Sequence, residues 1–359
     1  MRMRDFYYSM VAVAAWGSIL AAAPGRSQSA RPVEPVPPVM PAVPVMTMAS
    51  ADLLFPADPG MPPMPARPAA PARPAVPASP SMEPAERGGF ASRHHDGPAA
   101  DCSDLHIEFR DQRAEVESEE RSFTKAEARV LRIDELENGG VQTQGWDKDV
   151  YSVTACKAAD ATRGDAKQLL SEIKLSVRDG HVSVSGPSRH RDWTVHLLIR
   201  TPRAAEVEVQ AHNGPVSFYG VDGKITARGT NGPISMEDCT GEADIAAVNG
   251  PISFSGTSGK LRLHTDNGPI SVALNAASWK GGGLVAHAVN GPLSLQVPSG
   301  FQSSFLLESN GHSPMSCHAN ICGDARKTWD DEHRRIEYGS GAPLIRLSTE
   351  NGPVSVNTL

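Results

Sequence analysis

One short phrase, returning at a fixed interval, limits what this chain can fold into more than any other feature. Asn213-Gly214-Pro215-Val216-Ser217, Asn231-Gly232-Pro233-Ile234-Ser235, Asn249-Gly250-Pro251-Ile252-Ser253 and Asn267-Gly268-Pro269-Ile270-Ser271 each follow the last by eighteen residues. Between them sits a weaker half-copy: Asp222-Gly223-Lys224-Ile225, Gly241-Glu242-Ala243 and Ser258-Gly259-Lys260-Leu261. An apolar residue therefore opens a half every nine residues, from Val216 through Ile225, Ile234, Ala243, Ile252 and Leu261 to Ile270. A fixed period of this kind marks a repeat architecture.

Within each half the apolar residues alternate, as in Val216 and Phe218, Ile225 and Ala227, or Ile252 and Phe254, with Ser217, Thr226 and Ser253 between them. Period-two alternation describes a short strand with one buried and one wet face. Nine residues hold a strand of about five and a turn of about four. Asn-Gly supplies the positive φ of a sharp corner. The Pro that follows fixes φ at a strand's first position, where its missing N–H is tolerated.

Two chain paths fit. In a parallel β-solenoid, each 18-residue coil makes two strands and coils stack about 4.8 Å apart. In an antiparallel meander, each Asn-Gly is a hairpin tip. The identity of the copies favours the solenoid, because stacking puts Asn213, Asn231, Asn249 and Asn267 in one column where side-chain amides bond from coil to coil. The phrase continues at Asn290-Gly291-Pro292, after a five-residue stretch that the Gly281-Gly282-Gly283 run absorbs, and at Asn351-Gly352-Pro353. Asn310-Gly311-His312 is a broken copy. The fold class expected is all-β: a solenoid of two-stranded coils with one short helix, Asp165 to Ile173, whose Leu169, Leu170 and Ile173 share a face.

Ahead of the repeats the chain changes character. Arg2 and Arg4 precede an apolar stretch, Met10 to Ala23, that ends in small residues, so 1–23 reads as a signal peptide. At this length it falls short of the roughly 20 residues that span a bilayer, and no later segment could span one. Residues 24–100 carry 19 of the 30 prolines and read as a disordered Pro/Ala-rich linker, either a stalk or plain disorder. Residues 101–200 read as an irregular β entry region, 201–311 as regular coils, 312–343 as a Cys-containing insertion and 344–359 as a terminal solenoid strand.

The five cysteines of an exported chain point to disulfides plus one thiol left over. Cys317–Cys322 is the natural local pair and Cys102–Cys156 would tie the entry strand to the body, leaving Cys239. His312, Cys317, His318 and Cys322 also have the residue types of a zinc site, but in an oxidising compartment two cysteines this close are more often a disulfide. No metal or cofactor is expected. The Asp of calcium-binding nonapeptides is missing from the repeat. Asp222, Asp238, Asp244 and Asp266 form no repeated pair of the kind a glycosidase needs, and the Asp330–Arg335 run reads as a solvated loop. With a net charge of −7 and no basic cluster, nucleic acid is excluded as a partner.

Gly139-Gly140-Val141, Gly145-Trp146-Asp147 and Val150-Tyr151-Ser152-Val153, with the Asn-Gly-Pro phrases behind them, resemble the bacterial domain family of unknown function labelled "putative adhesin" (the DUF4097 type). The resemblance covers roughly 125–359 and implies a β-solenoid exported to the cell envelope, with no catalytic residues to carry over. The function expected is a non-enzymatic exported protein whose repetitive polar surface binds glycans or envelope proteins. The alternatives are a carbohydrate-active enzyme on the same scaffold and an envelope sensor or assembly partner.

Overall fold

A computed structural model describes residues 97–359 apart from 110–111, 163, 189–191, 311 and 341–343. The signal reading and residues 24–96 of the linker reading lie outside the described residues; residues 97–100, also read as linker, belong to the folded part, where Ala99 exchanges hydrogen bonds with the Gln142 amide. Two large sheets face each other across a continuous apolar core, one of twelve strands and one of eleven. Successive copies pair in parallel and in register. Ile234 lies beside Ile252 and Ile252 beside Ile270 in the eleven-stranded sheet. Ile225, Ala243 and Leu261 align likewise in the twelve-stranded sheet. The parallel pairing makes the chain a solenoid and rules out the hairpin path. Alternate residues of each strand point inward, and Ile252, Phe254, Leu261 and Leu263 are buried between the two sheets.

The corners hold the coils together. The backbone N–H groups of Gly214, Gly232, Gly250, Gly268 and Gly291 donate to the Asn carbonyl of the next coil at 2.9–3.1 Å, as in Gly214 to Asn231 and Gly232 to Asn249, while that of Gly352 turns to Ser313 Oγ at 3.4 Å. The N–H two residues on donates to that coil's Pro carbonyl, as in Ile252 to Pro269, so the ladder bends without losing a bond. Gly214, Gly232 and Gly268 adopt φ of +139°, +140° and +156°, whereas Gly250, Gly291 and Gly352 do not share the positive φ expected of them. What all six share is close stacking. A Cβ built on Gly250 would lie 2.1 Å from the Gly232 carbonyl oxygen, and those on Gly291 and Gly352 fall 2.0 and 2.1 Å from the carbonyls beneath.

The stacking order departs from chain order at both ends. The coil of Val130–Asn138 and Val141–Trp146 sits between the later segments His181–Ser185 with Trp193–Pro202 and Glu206–Asn213 with Val216–Tyr219. At the other end, Ile345–Asn351 and Val354–Thr358 slot between Lys280–Asn290 with Leu293–Val297 and Phe305–Asn310 with Met315–Cys317. Every contact of these inserted coils with the coils around them is parallel. The chain therefore steps over one coil's thickness at 202–206 and again at 297–305.

The entry region holds more order than its sequence signals. Glu115–Thr124, acidic and weakly periodic, is a ten-residue edge strand pairing antiparallel with Val150–Ala159. The helix runs from Ala166 to Glu172 and buries Ala166, Leu169 and Leu170 against the end of the core. Lys157 is buried there and its ammonium meets the Glu119 carboxylate at 2.6 Å. At the far end, Arg326–Trp329 and His333–Tyr338 form a hairpin that extends the twelve-stranded sheet, and Ile321 and Cys322 plug the core.

Three substitutions at one coil test this architecture. Ile252→Asp buries a carboxylate without a partner and should cost several kcal/mol. Gly250→Ala should destabilise comparably, since the methyl meets backbone. Ser253→Asp, on the exposed face, should shift stability by less than about 0.5 kcal/mol. Urea unfolding of the three variants checks the order.

The pair of buried Lys157 and half-buried Glu119 predicts an acid-sensitive end. The Lys157 hydrogen bond holds the Glu119 carboxyl below its ordinary value of 4.5. Its stabilisation is thus complete above that value and lost as pH falls through the lower, folded one. Glu119→Gln keeps an acceptor for the ammonium but removes its counter-charge, which should cost about 1–3 kcal/mol at neutral pH, and the variant should lose the corresponding step in an acid titration of stability.

Candidate functional site

The second half of each copy sets the outer surface. In the eleven-stranded sheet, Ser217, Ser235, Ser253, Ser271, Ser294, Ser355 and Ser316 form one column in register. Ser217 is buried under its neighbours, while Ser253 and Ser271 are exposed. A second column beside it carries Glu237, Ser255, Ala273, Gln296 and Asn357. Small side chains keep this wall flat, and a shallow trough of about 210 Å3 runs across Ser235, Ser253, Ser271 and Ser294. Neighbouring rungs lie about 4.8 Å apart, so the face is a lattice of hydroxyls, each able to donate and to accept.

The opposite wall has a different chemistry. Glu206, Lys224, Glu242 and Lys260 alternate along one column. Lys224 reaches Glu206 at 2.6 Å and Lys260 reaches Glu242 at 2.7 Å. The Glu206 carboxylate pushes the Lys224 ammonium up and Lys260 pulls the Glu242 carboxyl down. These pairs are solvated, and their part is to set register between coils more than to add stability. His264 and His287 stack with ring centroids 5.6 Å apart, with Asp266 and Ser348 as hydrogen-bond partners.

The corner asparagines make the third ladder. Asn231 Nδ2 donates to Asn213 Oδ1, and Asn249, Asn267, Asn290 and Asn351 repeat the step at 3.0–3.2 Å, all amides pointing one way. Asn138 extends the column under Asn213 at 3.4 Å. The Asn-Gly step at 138–139, which sequence reading passed over as a corner because Gly140 replaces Pro, was its signal. Asn310 leaves the ladder and caps the N–H groups of His312 and Ser313. Two residues later Pro314-Met315-Ser316 restores the phrase, with the Val354 N–H on the Pro314 carbonyl.

Cys102 is bonded to Cys156 and Cys317 to Cys322. The second bridge takes both thiolates that a zinc site at His312, Cys317, His318 and Cys322 would use, and the described residues hold no group of three ligands placed for a metal. Asp244 pairs with Arg228, Asp266 with His264, and Asp222 accepts from Thr240; these three carboxylates are each engaged with a different neighbour and do not converge. Asp330 accepts the backbone N–H groups of Glu332 and His333, which lowers its carboxyl pKa and closes the hairpin turn. No helix among the described residues is long and apolar enough to cross a membrane.

A scan against protein-family models and a search of curated proteins each gave no match. Among solved structures, the chain is similar to a putative cell adhesion protein of Clostridium sporogenes, with 12% identity and a TM-score of 0.29 over 68% of this chain and 100% of that one. It is similar also to a putative adhesin of Bacteroides fragilis, with 12% identity and a TM-score of 0.34 over 68% and 97%. A third likeness is to a putative lipid binding protein of Parabacteroides distasonis, with 15% identity and a TM-score of 0.26 over 67% and 96%. Identities and TM-scores this low assign neither a family nor an activity.

Burial pushes the Cys239 thiol up to about 11, so it should resist thiol reagents in the native protein. Labelling under non-reducing conditions should find no reactive thiol in native protein and a single one after unfolding; more would contradict the two bridges.

Proposed function

We propose that this is a non-enzymatic exported protein of the cell envelope whose solenoid presents a repetitive polar surface to glycans or envelope proteins. The observation that carries this reading is the serine column from Ser235 to Ser316, in register coil after coil. A single hydroxyl contact is weak. A polymer that meets the column at several rungs gains by multiplicity, because each later contact forms at high effective concentration. Two disulfides support an oxidising compartment. The corners at Asn213, Asn231, Asn249, Asn267, Asn290 and Asn351 act in this reading as structure, fixing the spacing of the rungs.

Retention on a panel of insoluble polysaccharides and native envelope fractions tests the proposal. Ser253→Trp with Ser271→Trp breaks the flat face and should lower retention at least tenfold while leaving the melting curve in place. Sugar release that disappears on removing the carboxylates of Asp330, Asp331 and Glu332 would overturn the non-enzymatic reading in favour of a carbohydrate-active enzyme.

A further inference from the structure

Away from the serine column, the same sheet carries a second and concave surface. Residues 97–109 fold back as an arm over the outer face of Glu115–Thr124, Val150–Ala159 and Trp193–Pro202. Four attachments hold it. Ala99 exchanges two hydrogen bonds with the Gln142 amide, at 2.9 and 2.8 Å. Arg200 Nη2 donates to the Ala100 carbonyl at 2.9 Å, Cys102 is bridged to Cys156, and Leu105, Ile107 and Phe109 pack on Ala158 and Leu198 as a small core of their own. Between arm and sheet lies a cleft of about 850 Å3, within the usual size of small-molecule sites.

The cleft's chemistry is specific. Gln144, Arg200 and Ser152 stand in one cross-strand row, and Thr154 and Glu120 are partners in the next. Ser152 is buried and donates to Glu120 Oε1 at 2.7 Å, which leaves the other carboxylate oxygen for an incoming donor. Hydroxyl and amide groups here both donate and accept. Leu105 and Ile107 supply an aliphatic wall. Among the described residues, the charges that line the cleft, Arg113 and Arg200 against Asp101 and Glu120, balance. A ligand that fits is uncharged, rich in groups that donate and accept together, and apolar along one side. A pyranose has its hydroxyls on the rim and C–H groups on its faces.

We propose that this cleft is a binding site for a neutral oligosaccharide, held end-on or in short register between the disulfide-anchored arm and the Ser152–Thr154–Glu120 floor. The proposal deepens the reading of the protein as a glycan-binding module and adds a discrete site to the repetitive face. Neutrality follows from the balanced charges, and length from a cleft that holds few sugar units. The bridge serves to fix the arm, so that the site is formed before ligand arrives and little ordering is lost on binding.

Calorimetric titration of the whole chain with soluble cello-, xylo-, manno- and chito-hexaose tests it. At least one should bind. Thr154→Val, which removes a hydroxyl, and Glu120→Gln, which turns one carboxylate acceptor into an amide donor, should each weaken that binding by about tenfold, with the melting curve as the check on folding. Cys102→Ser with Cys156→Ser removes the covalent one of the arm's four attachments and should weaken binding further. Binding by none of the four sugars would overturn the site. So would binding that ignores Thr154→Val and Glu120→Gln, and if that binding were instead lost in Ser253→Trp with Ser271→Trp, the serine face would stand while the cleft fell. Polysaccharide retention lost in the face variant with hexaose binding intact would separate the two in the other direction.

Discussion

Everything in this molecule depends on how closely one coil can lie on the next at the corner. Sheet hydrogen bonding sets the spacing, and at that spacing the backbone carbonyl of one corner occupies the volume that a Cβ of the next would need. Glycine is thus demanded by stacking even where φ is ordinary. Asparagine beside it converts the same closeness into attraction, each amide donating to the one beneath. Proline carries no donor at the point where the ladder asks for none, and its carbonyl takes the bond from the neighbouring coil. Three residues settle where every other side chain points.

With the corners fixed, the walls are free to differ. Inward positions need only fill a thin core, and they do so with Val, Ile, Leu, Ala and an occasional Phe. Thr265 and Thr349, buried beside the corner, return their hydroxyls to the glycine carbonyls of Gly250 and Gly291. Outward positions answer to nothing inside. One wall has become largely hydroxylated and the other charged, so a single stack offers two unlike surfaces. Where the regular coils stop, the sheet broadens into antiparallel strands, and only there does an arm have room to fold over a concavity.

The coil stack was legible in the sequence because period and phrase report on it directly: Ile252 could be placed between Ile234 and Ile270 before any coordinates. The nesting of the end coils was not. A period says that a segment is a coil and is silent about which coils it touches, and nothing in Ile345–Asn351 distinguishes a last coil from an inserted one. The corner at Asn138 escaped notice because Gly140 stands where the phrase has Pro. The cleft was invisible for a different reason. Its floor and wall come from residues 99–107, 113–120, 142–154 and 198–200, which carry no shared pattern and meet through sheet pairing and the arm's attachments. The cysteines were the one hint, since a bridge between 102 and 156 brings those segments together.

The nesting bears on the history of each molecule. A solenoid whose coils stack in chain order can grow like a rope being wound, one turn at a time from whichever end appears first. This one cannot. The strands around Trp193–Pro202 must leave space for, or close upon, the earlier coil of Val130–Trp146. Phe305–Asn310 finds its parallel partner only in Ile345–Asn351, a segment that follows it in sequence by more than thirty residues. Two parallel seams flank the course formed by Ile345–Asn351 and Val354–Thr358, and without residues 345–358 the coil of Phe305–Asn310 and Met315–Cys317 has no parallel partner to join it to the stack.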